Sequence, residues 1–332
     1  MVRAFLVLLM IVVAGMAGCS PKEKQGGSQK QENIVVAVTP WPASAPIYVA
    51  QEKGYFKHEG LDVTLQTYLS GHLGLDAVLS GKADLATAGE TPIARAAMHG
   101  KPLAVIATIC EIDRAILIVG RKDRGISGPQ DLKGKSIGVV AGTTSDFFLH
   151  IYLITSYIDP KDVRMVHLST DRVVDALLKG EVDAVSTWAP HTIMLREKLA
   201  GNATVLQDPS IYTMTWDMAA TQGFVRDRPE PIKRFLRAII SANEFISERP
   251  SETRAVFSRH IGADGSLFER DWIDYRFTAV LDQSLILNME DQARWISKGE
   301  GAAGRRLPNF LDFVDASALK TIRPEAVRIT GK

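Results

Sequence analysis

The sequence predicts an α/β fold built from two similar half-molecules that face each other as lobes. Three observations carry this reading. Residues 35–65 run strand, helix, strand, the unit from which parallel sheets are made. The nine residues DAVLSGKAD at 76–84 recur as DALLKGEVD at 175–183, with both aspartates, the alanine, a leucine and the glycine shifted by a constant 99. Finally, about 300 residues remain for the folded part, more than one compact core usually holds.

The N-terminal segment reads as an address rather than as part of the fold. Arg3 precedes an apolar run of fourteen residues, 4–17, short for a membrane-spanning helix. The run ends in MAGCS at 16–20, and small residues just before a cysteine mark a lipoprotein-type cleavage site. Residues 1–18 are therefore expected to be a signal peptide and Cys19 the lipidated N-terminus. Met16 stands where leucine is usual, and a plain secretory signal or an uncleaved anchor is the alternative; each exports the protein. Residues 20–33, SPKEKQGGSQKQEN, have nothing apolar to bury, so 19–33 should be a lipid-anchored flexible tether. The expected location is the outer face of the cytoplasmic membrane or the periplasm.

Without the signal, 38 basic residues face 38 acidic ones, which is no electrostatic footprint for nucleic acid. Cys110 is the only other thiol besides Cys19, so an internal disulfide is not expected.

The elements follow in order. Residues 35–38 form a β-branched strand, 39–46 a proline-rich loop, 47–56 a helix and 61–65 an alternating strand. Residues 71–81 carry apolar positions at helical spacing, with Gly81 as the stop before a strand at 83–88. Thr91-Pro92 reads as the N-cap and first residue of the next helix. A strand at 115–119 and a helical turn at 129–135 lead to the second half: strand 136–140, loop 141–145 and a helix from Asp146. A strand at 218–225 follows, and the strands at 115–119 and 218–225 are read as the crossings into and out of an inserted lobe. From Pro229 onward the pattern is helical throughout, including an amphipathic stretch from Asp271. Lobe 1 thus comprises 34–115 and 220–332, and lobe 2 comprises 116–219.

The segments WPASAPIYVA (41–50), EKGYF (52–56), EGLDV (59–63), SGKAD (80–84), DLKGK (131–135), 176–184 and WAP (188–190) resemble the solute-binding components of ABC importers for nitrate, sulfonates, taurine and thiamine precursors. The resemblance runs from about Ile34 to Ile329. It implies a two-lobed, type II periplasmic-binding-protein fold with two crossover strands as hinge. It also implies a ligand cleft between the lobes and a permease with its ATPase as partner. It leaves the ligand open among a sulfonate- or nitrate-like anion, a zwitterion and a heteroaromatic such as a thiamine precursor. The chain is expected to act as a monomer and to need no cofactor.

In open α/β sheets ligands bind beyond the carboxyl ends of the strands, where helix N-termini point N–H groups outward. The candidates are Thr39, Trp41 and Ser44 after the first strand, Ser70 and Gly71, Glu90 and Thr91, the run Gly142, Thr143, Thr144 and Ser145, Trp188, and Asp217 near the return crossing. In the run 142–145 a glycine admits close backbone approach and three hydroxyls supply donors, although Ser145 could equally serve as an ordinary N-cap. Three or four such donors to a charged group, at about 1.5–3 kcal/mol each, would support about micromolar affinity. Trp41 and Trp188 occupy equivalent places in the two halves, as a sandwich for a planar ligand or as packing. Trp216 is a weaker candidate for the same wall. Glu90 would repel an anion and hold an amine, or simply rest against a helix dipole. Asp217 and Glu111 could hold an amine or pair at the hinge.

An enzyme is not expected. The seven histidines show no metal-ligand spacing, and there is neither a Gly-x-Ser-x-Gly elbow nor a phosphate loop. The branch of the same fold that makes a thiamine precursor implies a cysteine-rich run that is missing here. A ligand sensor feeding a membrane receptor is the other alternative.

Overall fold

The computed structural model describes residues 31–262, 272–299 and 306–331. The signal 1–18 and Cys19, with most of the tether, lie outside the described residues. The chain enters as β1 (Glu32–Val38), turns through a 3-10 segment at Pro42–Ser44, and continues as α1 (Ala45–Glu52), α2 (Tyr55–His58) and β2 (Leu61–Thr67). Gly54, at φ 73°, splits the single helix expected over 47–56. Next come α3 (Gly71–Leu79), β3 (Leu85–Gly89), α4 (Glu90–Met98) and β4 (Leu103–Ile112). Gly89 rather than Thr91 is the N-cap of α4.

The chain then passes into a second sheet through β5 (Ile116–Arg121), β6 (Ser136–Val139), α5 (Thr144–Thr155), β7 (Arg164–His167), α6 (Val173–Leu178), β8 (Ala184–Trp188), α7 (His191–Leu199) and β9 (Ala203–Leu206). It returns with β10 (Met214–Thr221), followed by α8 (Gln222–Asp227), α9 (Pro229–Glu248), α10 (Pro250–Ile261), β11 (Tyr275–Asp282), α11 (Gln283–Gly299), α12 (Ser317–Ile322) and β12 (Val327–Arg328).

The first sheet has the order β12-β11-β4-β10-β3-β1-β2 and the second β7-β6-β8-β5-β9. The block β2-β1-β3-β10-β4 repeats as β7-β6-β8-β5-β9. In each block two parallel pairings share the leading strand, and the strand flanking a crossing, β10 or β5, runs antiparallel to both neighbours. The sequence echo has a physical cause in this repeat. The Val35 N–H donates to Asp84 Oδ2 at 2.8 Å, and the Asp84 N–H returns to the Val35 carbonyl at 2.8 Å. In the second sheet the Ser136 N–H donates to Asp183 Oδ2 at 2.9 Å, and the Asp183 N–H to the Ser136 carbonyl at 2.9 Å. Each aspartate clips its lobe's leading strand, Asp84 at Val35 in the middle of β1 and Asp183 at Ser136, where β6 begins. Gly81 and Gly180, at φ 74° and 73°, make the left-handed turn before the aspartate.

Several of the sequence expectations need correction. β4 went unrecognised because LAVIATICEI has no alternation: flanked by β10 and β11, it is buried along nearly its whole length. The tail is not helical throughout, since β11 pairs antiparallel with β4. The strand expected at 218–225 starts at Met214 and ends at Thr221, because Thr221 caps α8 by accepting from the Phe224 N–H. The crossings themselves are the short segments 113–115 and 207–213 between sheets, and 219 falls inside β10. The C-terminal helices cover the first sheet, α9 against α1, α2 and β11, and α11 against α4. The result is an α/β fold of two sheets joined by two crossings.

Candidate functional site

Three helices begin around one cavity. Ser70 is the N-cap of α3, Gly89 of α4 and Thr143 of α5, and none of them caps with its side chain. The first two belong to the first sheet's half and the third to the second. Seven of the thirteen sequence candidates line the cavity: Thr39, Trp41, Ser70, Gly71, Thr143, Thr144 and Trp188. The lining also includes Trp216, the weaker sequence candidate for this wall, and five further residues, His72, Gly89, Pro92, Ile116 and Met214.

Close approach explains two of the glycines. A Cβ on Gly71 would stand 2.8 Å from Ala88 Cα and 3.0 Å from the Trp216 ring, and one on Gly89 would stand 2.6 Å from Met214 Cε and 2.8 Å from Thr144 Oγ1. The halves touch directly, because Thr91 Oγ1 donates to Thr144 Oγ1 at 3.2 Å. The cavity is accordingly tight, with a free volume of about 30 Å³, room for one or two waters.

Its wall is aromatic on one side and polar on the other. Trp41 meets Trp216 edge to face with centroids 4.7 Å apart, and Trp216 Nε1 donates to Ser44 Oγ at 3.0 Å. Ser44 therefore holds the wall from behind and does not line the cavity. Trp41 Nε1 and Thr39 Oγ1 are buried without a hydrogen-bond partner among the described residues. A buried N–H or hydroxyl left in that state is costly unless something binds it. His72, the one titratable side chain of the lining, has Nδ1 2.9 Å from Ser70 Oγ. Burial lowers its pKa, with Asp76 pulling the other way.

Among the described residues no carboxylate lines this space. The Glu90 side chain turns away from it and takes hydrogen bonds from the Tyr212 hydroxyl, the Thr215 N–H at 3.3 Å and Asn288 Nδ2 at 3.4 Å. Burial pushes its pKa up to about 7. Asp217 also lies outside the lining: it accepts from Thr108 Oγ1 at 2.5 Å and Thr215 Oγ1 at 2.8 Å, and burial followed by the nearby Glu90 charge raises its pKa.

The loop 141–145 divides between two faces. Thr143 and Thr144 face the cavity, whereas Gly142 lies behind it, where its N–H donates to Asp146 Oδ2 at 2.9 Å. Ser145 is buried, with its hydroxyl 2.9 Å from Thr143 Oγ1 and its carbonyl accepting from Ser186. It therefore neither caps α5 nor lines the cavity. Among the described residues no group of three His, Cys, Asp or Glu side chains could hold a metal ion.

The arrangement offers dipole-oriented N–H groups, hydroxyls and an indole N–H beside apolar ring faces. Such a site can hold a small molecule with a polar or negative end and needs no covalent step.

Comparison with known proteins agrees with this architecture. A Bacillus subtilis (strain 168) protein, named for the binding of aliphatic sulfonates, is 25% identical over 260 residues, 76% of this chain and 77% of its own. The taurine-binding periplasmic protein of Escherichia coli (strain K12) is 28% identical over 216 residues, covering 64% and 66%. A 4-amino-5-hydroxymethyl-2-methylpyrimidine phosphate synthase of Saccharomyces cerevisiae is 26% identical over 229 residues, covering 64% and 65%. The alkanesulfonate-binding protein from Xanthomonas axonopodis pv. citri, solved with MOPS bound, superposes with a TM-score of 0.72 at 16% identity, covering 87% of this chain and 99% of that one. This likeness establishes the two-lobed periplasmic-binding-protein fold. With residues 41–253 matched by its family model, from the Trp41 turn through both sheets to α10, the chain belongs to the NMT1/THI5 like family.

Proposed function

We propose that this chain is the exported solute-binding component of an ABC importer, anchored through Cys19, that captures a small organic anion of the sulfonate type between its lobes. The lobes, one carrying β1 to β4 with β10 to β12 and the other β5 to β9, close about the two crossings, and the permease with its ATPase receives the closed form. The observation that carries this reading is the polar content of the cavity. Three helix N-termini and the Thr39, Ser70, Thr143 and Thr144 hydroxyls converge with no opposing carboxylate, and two buried polar atoms there await a partner. Glu90 ceases to oppose an anion once its side chain faces Tyr212 and is largely protonated below pH 7. The apolar faces of Trp41, Trp188, Trp216 and Met214 suit the organic part of the ligand.

A free volume near 30 Å³ is far below the roughly 300–1,000 Å³ of small-molecule pockets, so entry requires the halves to part and the Thr91–Thr144 hydrogen bond to break. The ligand then stabilises closure by its differential affinity for that form. Calorimetric titration of the purified protein with taurine, an alkanesulfonate, nitrate and an aminopyrimidine tests the proposal. Saturable binding of a sulfonate that is lost in Thr143→Ala/Thr144→Ala supports it, and binding of the aminopyrimidine alone would replace it.

A further inference from the structure

Behind the loop 141–146, on the side opposite the cleft, lies a second cavity of about 700 Å³ that shares no lining residue with the first. Its position is chemically suggestive. Ala141 and Gly142 follow the carboxyl end of β6, and His167 ends the parallel neighbour β7. Loops at the ends of parallel strands are where α/β sheets present ligand sites. The opposite wall comes from the other half, through Arg95 on α4 and Trp295 and Lys298 on α11.

The charge of this lining is one-sided. Arg95, Lys161 and Lys298 bring three permanent cations, and His150 and His167 bring two imidazoles, against the single carboxylate of Asp146. That carboxylate is already bonded to the Gly142 N–H and lies near Arg95, and burial raises its pKa. Neither Lys161 nor Lys298 forms an ion pair among the described residues, unlike Lys53, Arg228, Arg237 and Arg276, which the fold neutralises with Glu252, Glu32, Glu59 and Asp113. Trp295 supplies a flat wall, its ring 5.6 Å from that of Phe147 and 6.1 Å from that of His150.

We propose that this cavity is a second binding site, distinct from the solute cleft, for a small phosphate monoester whose oxyanion meets the three cations and whose organic part lies against Trp295. The volume suits such a molecule, and a doubly charged oxyanion matches three cations offset by one engaged carboxylate. Because the walls come from both halves, occupancy favours the arrangement in which they are together.

Phenyl phosphate is the probe, titrated calorimetrically near neutral pH into the protein with no cleft solute added, with sodium chloride of equal ionic strength as control. Saturable binding and a raised Tm are expected. Lys161→Gln/Lys298→Gln, two exposed positions, should weaken binding about tenfold or more, whereas Thr143→Ala/Thr144→Ala should leave it unchanged. Inorganic phosphate should bind more weakly than phenyl phosphate if Trp295 contributes, and Trp295→Leu should remove that difference. A response no greater than that of sodium chloride, or equal affinity in the lysine double variant, overturns the site. Loss in the threonine variant with retention in the lysine variant would assign the phosphate to the cleft instead. The outcome is independent of whether the cleft itself takes a sulfonate.

Discussion

Glu90→Gln is the perturbation that most directly tests how the cleft is built. The side chain is fully buried, and burial raises its pKa from the ordinary 4.5 to about 7, with hydrogen bonds from Tyr212, its own backbone, Thr215 and Gln292 opposing part of the rise. Between those values the folded chain keeps a proton that the unfolded chain has released. The stability associated with this carboxyl is therefore complete below about pH 4.5, declines as pH rises, and is lost above about pH 7. At about 1.4 kcal/mol per pH unit the loss is on the order of 3 kcal/mol. With an unfolding entropy of about 2.1 cal/mol/K per residue over about 300 residues, that corresponds to roughly 5 °C in Tm. Asp217, likewise raised by burial, contributes a slope of the same sign, so the informative quantity is the difference between wild type and variant. Glutamine preserves the shape and keeps an acceptor for Tyr212 and Thr215. Calorimetric scans at constant ionic strength from about pH 4.5 to about pH 8 should show wild type losing roughly 5 °C more than Glu90→Gln. Parallel curves for the two proteins would show that Glu90 titrates normally and that its burial has been misjudged.

Other expectations are simpler to read. Anion affinity should fall above pH 7 in wild type, as Glu90 gains charge beside the start of α4, and stay flat in Glu90→Gln; titrations at three pH values check this. Thr143→Ala/Thr144→Ala should weaken cleft binding about tenfold or more at a temperature where circular dichroism shows the variant folded, with some loss of Tm from the Thr143–Val140 and Thr91–Thr144 hydrogen bonds; unchanged affinity would remove both residues from the site. Gly89→Val should abolish cleft binding with circular dichroism unchanged, because the added atoms meet Met214 and Thr144 where the halves come together. Asp84→Ala and Asp183→Ala should each cost about 1–3 kcal/mol in denaturant unfolding, since each orphans a backbone N–H of a leading strand, that of Val35 in β1 or of Ser136 in β6.

Much of this architecture could be read from spacing alone. The repeat shifted by 99 marked two lobes because Asp84 and Asp183 are needed by short-range geometry, each clipping a neighbouring strand after a left-handed glycine. The same logic located Thr39, Trp41, Ser70, Gly71, Thr143, Thr144 and Trp188, which follow strand ends or begin helices, positions defined within a few residues of chain.

What the chain by itself could not determine is where side chains point once distant segments meet. β4 carries no alternation because two partners and two covered faces bury it almost entirely, and β11 is a strand because β4 offers it an edge. Met214, Ile116 and Trp216 reach the cavity only because the crossings bring them there. Glu90 stands at the start of a helix by sequence, yet its partners Tyr212, Thr215 and Asn288 lie more than a hundred residues away. Local hydrogen bonding and periodicity are written in neighbouring residues. The charge state of a buried carboxyl and the polarity of a cleft are set by whichever remote groups the fold places against them.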